Sequence, residues 1–131
     1  MIIVDSSVWI DYFNGKPTPQ TNTLDSLLGA EPLALGDIIL TEVLQGFTND
    51  LDFKRAKKLF SGFVLFEMLG EKNAIKSAEN YRHLRKQGIT IRKTLDCVIA
   101  TFCIEHKHAL LFQDKDFSPF VEKLGLRSVR G

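Results

Sequence analysis

The stretch "MIIVDSSVWI" (residues 1–10) sets three strand-forming apolar residues, Ile2, Ile3 and Val4, against a carboxylate and two hydroxyls, Asp5, Ser6 and Ser7. An apolar run that stops at polar side chains and resumes at Val8, Trp9 and Ile10 predicts a short strand followed at once by a helix. Asp5 then has two readings. As a helix cap, it accepts bonds from the orphan N–H groups of the first turn. As chemistry, it lies where ligands sit in open α/β sheets, outside the carboxyl end of a strand. Which reading carries function depends on whether other carboxylates occupy matching places further along.

Working outward, "GKPTPQTN" reads as a loop between helices, "TLDSLLG" as a helix that Gly29 can cap, and "PLALG" as a short apolar strand. "DIILTEVLQGF" starts on a possible Asp37 cap and aligns Ile39, Leu40, Val43, Leu44 and Phe47 on one stripe. "DLDFKRAKKLFSGF" repeats Ala56, Leu59, Phe60 and Phe63, with Lys54, Arg55, Lys57 and Lys58 off that stripe. "FVLFEM" is a strand, "EKNAIKSAENYRHLRKQG" a long helix closed by basic residues and Gly88, and "TLDCVIATFCIEHK" a helix apolar on almost every side, hence central. "ALLF" is a strand, "DKDFSPFVEKLG" a turn and short helix, and "LRSV" a last strand.

Strands alternating with helices, each connection long enough for a crossover, predict an α/β fold: a parallel sheet covered on both faces, a three-layer α/β/α sandwich. The 131 residues fit one domain, residues 1–131, with 44% hydrophobic and 25% charged residues, as in ordinary globular chains. A net charge of +1 excludes a histone-like global attraction to nucleic acid, so any anionic partner must be held by local patches or by metal. The opening lacks the basic leader of a signal peptide, and no run approaches the ~20 apolar residues of a membrane span, so the expected location is cytoplasmic. Cys97 and Cys103 fall on different sides of one predicted helix and are expected as free buried thiols. His83, His106 and His108 have no partners at zinc spacing.

The carboxylates are more informative. Asp5 ends the first strand, and Asp114, with Asp116 two residues on, falls just past the penultimate one, at the same edge of a parallel sheet. Turn and cap chemistry accounts for these too, Asp116 as a cap of the final helix included. Asp96 sits in the first turn of the apolar helix, where the helix dipole favours it, yet burial of its charge calls for a cation or a raised pKa. Glu42 lies beside an apolar stripe and says little alone. Together, carboxylates converging at one sheet edge offer hard oxygen ligands to Mg²⁺ or Mn²⁺, ions that accept phosphate oxygens and activate water. The reaction class is metal-assisted phosphodiester hydrolysis.

"MIIVDSSVWIDYF", "TEVLQGF", "TLDCVIATFCIEH" and "LLFQDKDF", in this order and at these separations, resemble the PIN-domain ribonucleases, specifically the VapC toxins of toxin–antitoxin pairs. The resemblance covers essentially the whole chain. It implies an acidic site of Asp5, Glu42, Asp96 and an Asp of "QDKDF", with both Asp114 and Asp116 matching acidic positions of the family. It implies that Ser6 or Ser7 is the hydroxyl that orients the first Asp or its water. It further implies Mg²⁺ or Mn²⁺, an RNA substrate, a VapB-type antitoxin that lays a helix along the cleft, a homodimer and a sheet order of 3-2-1-4-5. Phe112 departs from the pattern, since many relatives carry a small polar residue there.

Two basic clusters could position RNA: Arg82, Arg85, Lys86, Arg92 and Lys93, or Lys54, Arg55, Lys57 and Lys58. Proximity in the chain to Asp96 favours the first. The competing readings are a phosphatase, a receiver-type signalling domain, and a catalytically inactive PIN-like domain that binds RNA or a protein. The phosphatase wants an Asp where Ser7 stands, and the receiver an acidic pair ahead of its phosphorylated Asp. The inactive domain sits poorly with a full acidic set, because acids without metal repel phosphates.

Overall fold

The structure, a computed structural model, describes residues 1–129. Strand β1 (Ile2–Val4) leads into helices α1 (Ser6–Phe13) and α2 (Pro19–Leu27). Strand β2 (Leu33–Gly36) is followed by α3 (Asp37–Gln45) and α4 (Asp50–Phe60), and β3 (Val64–Phe66) by α5 (Glu71–Lys86) and α6 (Thr94–Glu105). Strand β4 (Ala109–Leu111), a 3-10 turn (Lys115–Phe117), α7 (Ser118–Leu124) and β5 (Arg127–Ser128) complete the order.

All strand pairs are parallel, in the order β3-β2-β1-β4-β5. The crossovers from β1 to β2 and from β2 to β3 step one way across the sheet, and the two later ones step the other way. Right-handed crossovers therefore put α1 to α4 on one face and α5 to α7 on the other. This is the expected three-layer sandwich and the expected strand order. The stepping direction reverses between β1 and β4, which pair in register as Ile2↔Ala109, Ile3↔Leu110 and Val4↔Leu111. Crevices form outside the strand ends at such a switch point.

Apolar burial fixes both outer layers. On one face Trp9, fully buried, meets Phe60 edge-on at 5.0 Å and stacks on Phe13 at 5.9 Å, tying α1 to α4. On the other, α6 buries a continuous run from Asp96 to Cys103, which is why its sequence shows no polar face. Leu95 of that helix is the exception and stays 42% exposed. Both thiols are free and buried, as expected, and His106 and His108 stack against Phe102.

Local chemistry corrects several boundaries. "GKPTPQTN" is not all loop: Thr18 Oγ1 accepts the Thr21 N–H at 2.9 Å and Thr21 Oγ1 accepts the Thr18 N–H at 2.8 Å. This reciprocal cap, with Pro19 at the first helical position, starts α2 early. Asp37 is not the cap of α3. Gly36 holds that place, and Asp37 Oδ1 accepts both its neighbour Ile38 N–H (2.8 Å) and the Met68 N–H (3.0 Å), tethering α3 to the chain leaving β3. A Cβ at Gly36 would meet Met68 Sδ at 2.1 Å, so any larger residue there must displace the Met68 side chain. Nor does Asp116 cap the final helix; Asp114 caps the 3-10 turn by accepting the Asp116 N–H at 2.9 Å.

Candidate metal centre

The crevice beyond β1 and β4 collects carboxylates from four parts of the chain. Asp5 follows β1 directly, its own N–H bonded to the Leu111 carbonyl at 2.9 Å, so the strand pairing fixes its backbone. Its Oδ2 accepts the Ser7 hydroxyl at 2.8 Å and the Ser7 N–H at 3.4 Å. Asp5 therefore caps α1 and also lies close enough to Asp114 and Asp96 to act on them through its charge. Burial pushes its carboxyl above the usual carboxylate range, the bonds from Ser7 and Ser6 hold it down, and the charge of Asp114 adds to the rise.

Asp96 lies in the first turn of α6, is only 6% exposed, and its Oδ2 is buried with no hydrogen-bond partner. Burial first, then the charge of Asp5, raise its pKa to about 7, with Lys93 opposing. Glu42, on α3, also carries a buried oxygen without a partner, Oε1. Its carboxyl is raised by burial and then by Asp5, while the Ser6 hydroxyl and Lys93 hold it down. Ser7 thus serves Asp5 alone, while Ser6 acts on Asp5 through its backbone and on Glu42 through its side chain.

One oxygen from each of Asp96, Asp114 and Asp116 lies within 4.8 Å of the others, a spacing that one ion could bridge. Asp5 and Glu42 stand outside that trio but within its field, since each raises the pKa of Asp96. Asp114 and Asp116, alternatives in the sequence, are both present at the crevice. The rim is basic: Arg92 reaches both oxygens of Asp116, at 3.1 and 3.4 Å, and Lys93 Nζ lies 3.4 Å from Asp114 Oδ2.

These groups fit a hard divalent cation. The donors are all oxygen, no His or Cys joins the trio among the described residues, and two buried carboxylate oxygens accept no hydrogen bond. An uncompensated buried carboxylate costs several kcal/mol, which a cation removes.

The remaining predicted residues are spread more widely. Arg82 and Lys86 line an open groove of about 500 Å³ with Lys76, His83 and Leu124, and Arg85 stacks over the Tyr81 ring at 5.6 Å. Within the first basic cluster, it is Arg92 and Lys93 that form ion pairs with the acids. Lys54, Arg55, Lys57 and Lys58 lie on exposed α4. Sequence reading missed one contact at the crevice: Gln113 donates to Asp11 Oδ2 at 2.7 Å, joining the exit of β4 to α1. Nothing local signals it, because the partners are 102 positions apart. Phe112 packs on Phe117, with ring centroids 5.2 Å apart.

Comparison with known proteins agrees with this fold. The family model described as PIN domain matches residues 2–122. The chain is 29% identical over 119 residues to Ribonuclease VapC11 of Mycobacterium tuberculosis, covering 89% of each protein. Among solved structures it resembles VapBC2 from Rickettsia felis bound to a promoter DNA fragment (TM-score 0.76, 19% identity, 98% of each chain). It also resembles a toxin–antitoxin complex from Klebsiella pneumoniae (TM-score 0.70, 19% identity, 90% of this chain and 91% of that one). At these identities the two structures establish the fold alone.

Proposed function

The chain belongs to the PIN-domain family, and from that premise we propose that it is a metal-dependent endoribonuclease, the toxin of a VapBC-type pair. Its relatives carry the ribonuclease name, and residues 1–131 form one nuclease domain in this reading. The observation that carries it is the trio of Asp96, Asp114 and Asp116 oxygens within 4.8 Å, beside the unpartnered Asp96 Oδ2.

Asp96, Asp114 and Asp116, with Asp5 and Glu42 beside them, would hold Mg²⁺ or Mn²⁺. When bound, the ion offsets phosphate charge and brings a water into its nucleophilic form near neutral pH. Ser7 keeps Asp5 oriented and Ser6 does the same for Glu42. A water oxygen bonds to phosphorus as the bond to the leaving ribose oxygen breaks, and the proton the water loses is balanced by the one the leaving oxygen gains. Arg82, Arg85, Lys86, Arg92 and Lys93 steer the RNA backbone toward the crevice. The partners are an RNA, a VapB-type antitoxin and a second copy of the chain. The setting is the cytoplasm, where free thiols such as Cys97 and Cys103 persist. No helix among the described residues is long and apolar enough to cross a membrane.

The test is cleavage of a structured RNA by the purified protein with Mg²⁺ or Mn²⁺, repeated with chelator. Cleavage that stops on chelation and is lost in Asp96→Asn supports the reading. RNA binding without cleavage in any divalent metal would make the chain the inactive, binding-only member of the family instead.

A further inference from the structure

Lys93 stands where its chemistry is out of place. It is the N-cap residue of α6, a position that favours a short acceptor side chain, and it provides no cap hydrogen bond there. A cation at a helix N-terminus also opposes the helix dipole. Its side chain, 64% exposed, folds over the carboxylates instead, with Nζ 3.4 Å from Asp114 Oδ2. Its charge interacts first with Asp96, then with Asp114 and Asp116, and it steadies Glu42 across the crevice. A single ammonium therefore contacts Asp114 and acts through its charge on three of the other four acids. Arg92, its neighbour, is engaged differently, with a guanidinium that reaches both oxygens of Asp116.

A divalent cation held by the trio needs an oxygen of Asp114, the residue that Lys93 faces. Metal and ammonium are competitors there, because both draw on one carboxylate charge. An RNA phosphate brought to such an ion would add negative charge at the same rim. We propose that Lys93 exchanges partners during the reaction, holding Asp114 until a divalent ion takes that carboxylate and then pairing with a phosphate oxygen of the RNA. This rests on the nuclease reading above and adds a role to it: Lys93 contacts substrate, and it also weakens metal binding until substrate arrives.

The exchange gives two effects of opposite sign, which a residue that merely supports the fold would not show. In Lys93→Met, Mn²⁺ measured by calorimetry without RNA should bind about two- to fivefold more tightly, the scale of one exposed ion pair. At saturating Mn²⁺, kcat for a structured RNA should fall about tenfold or more, because a cation at the developing phosphate charge is gone. Lys93→Arg should restore wild-type Mn²⁺ affinity and much of the kcat. Without metal, Lys93→Arg should melt like wild type and Lys93→Met only slightly lower, by what one exposed ion pair contributes. Weaker Mn²⁺ binding in Lys93→Met, or an unchanged affinity, overturns the exchange. Tighter binding with unchanged kcat overturns the contact with phosphate. Failure of the nuclease reading is separate: wild type would then cut no RNA in any metal, while the Mn²⁺ titration of Lys93→Met would still decide whether ammonium and metal compete.

Discussion

Ser7 donates twice to one oxygen of Asp5, from its hydroxyl at 2.8 Å and its N–H at 3.4 Å, so one carboxylate both starts a helix and faces the acidic crevice. The two duties separate on substitution. Asn caps helices as well as Asp, so Asp5→Asn should keep the fold while removing the charge. Asp5→Ala loses the cap as well, at about 0.5–2 kcal/mol. Both should cut RNA at least about a hundredfold more slowly, but urea melts should show only the alanine variant destabilised. Equal stability of the two variants would mean that the cap contributes nothing.

Asp96 makes stability depend on pH in a definite direction. Its carboxyl titrates at about 7 in the folded chain against an ordinary 3.8, so between those values the folded state binds more protons than the unfolded. Its contribution is therefore largest below about pH 4 and is lost as pH rises toward about 7. Asp5 and Glu42 shift the same way and add to the fall. In EDTA, Asp96→Asn should flatten this slope and melt a few degrees above wild type at pH 8. Divalent metal should reverse the ranking, since an ion bound only by the folded state contributes roughly 2.7 kcal/mol at 100 times Kd. A variant that melts lower in EDTA and keeps the metal response would reduce Asp96 to a favourable charge at a helix start.

The close approach of Gly36 to Met68 allows a test remote from the acids. A Cβ at residue 36 would lie 2.1 Å from Met68 Sδ, and Met68 is itself only 1% exposed, so it cannot swing into solvent. Gly36→Ala should cost about 1–3 kcal/mol, measured by urea unfolding. Because Gly36 leads directly into α3, which carries Glu42, the folded variant should also lose cleavage rate. A neutral result would show that Met68 repacks freely.

RNA positioning separates the two basic clusters. Reversing Arg82 and Lys86 to Glu should weaken RNA binding and lower the slope of log K against log salt by about 0.7–0.9 for each phosphate that is no longer neutralised. Reversing Lys57 and Lys58, on α4, should leave that slope alone. The opposite pattern would move the RNA path to α4.

The sandwich was legible because each strand is a short apolar run and each outer helix carries its own period, whereas the strand order was implied only by the family resemblance. Asp5, Asp96 and Asp114 were legible for a related reason: their places are set by the ends of elements, and those ends show in the sequence. What lay beyond reading were contacts made across the chain. Gln113 finds Asp11, and Asp37 finds the Met68 N–H. No local pattern encodes such pairings, because packing of the two layers decides them. The early start of α2 was missed for a smaller reason: Thr18 and Thr21 cap each other inside a segment rich in turn formers.

Strand β1 takes its partner on one side from residues 109–111, nearly the whole chain away. Asp5 therefore gains Asp114 and Asp116 as neighbours only after β4 has been made and has slotted in beside it. A chain still emerging from the ribosome, or clipped before Ala109, holds the first acid without the trio. On the activity proposed here, the protein is unarmed during synthesis until β4 and the turn after it have been made.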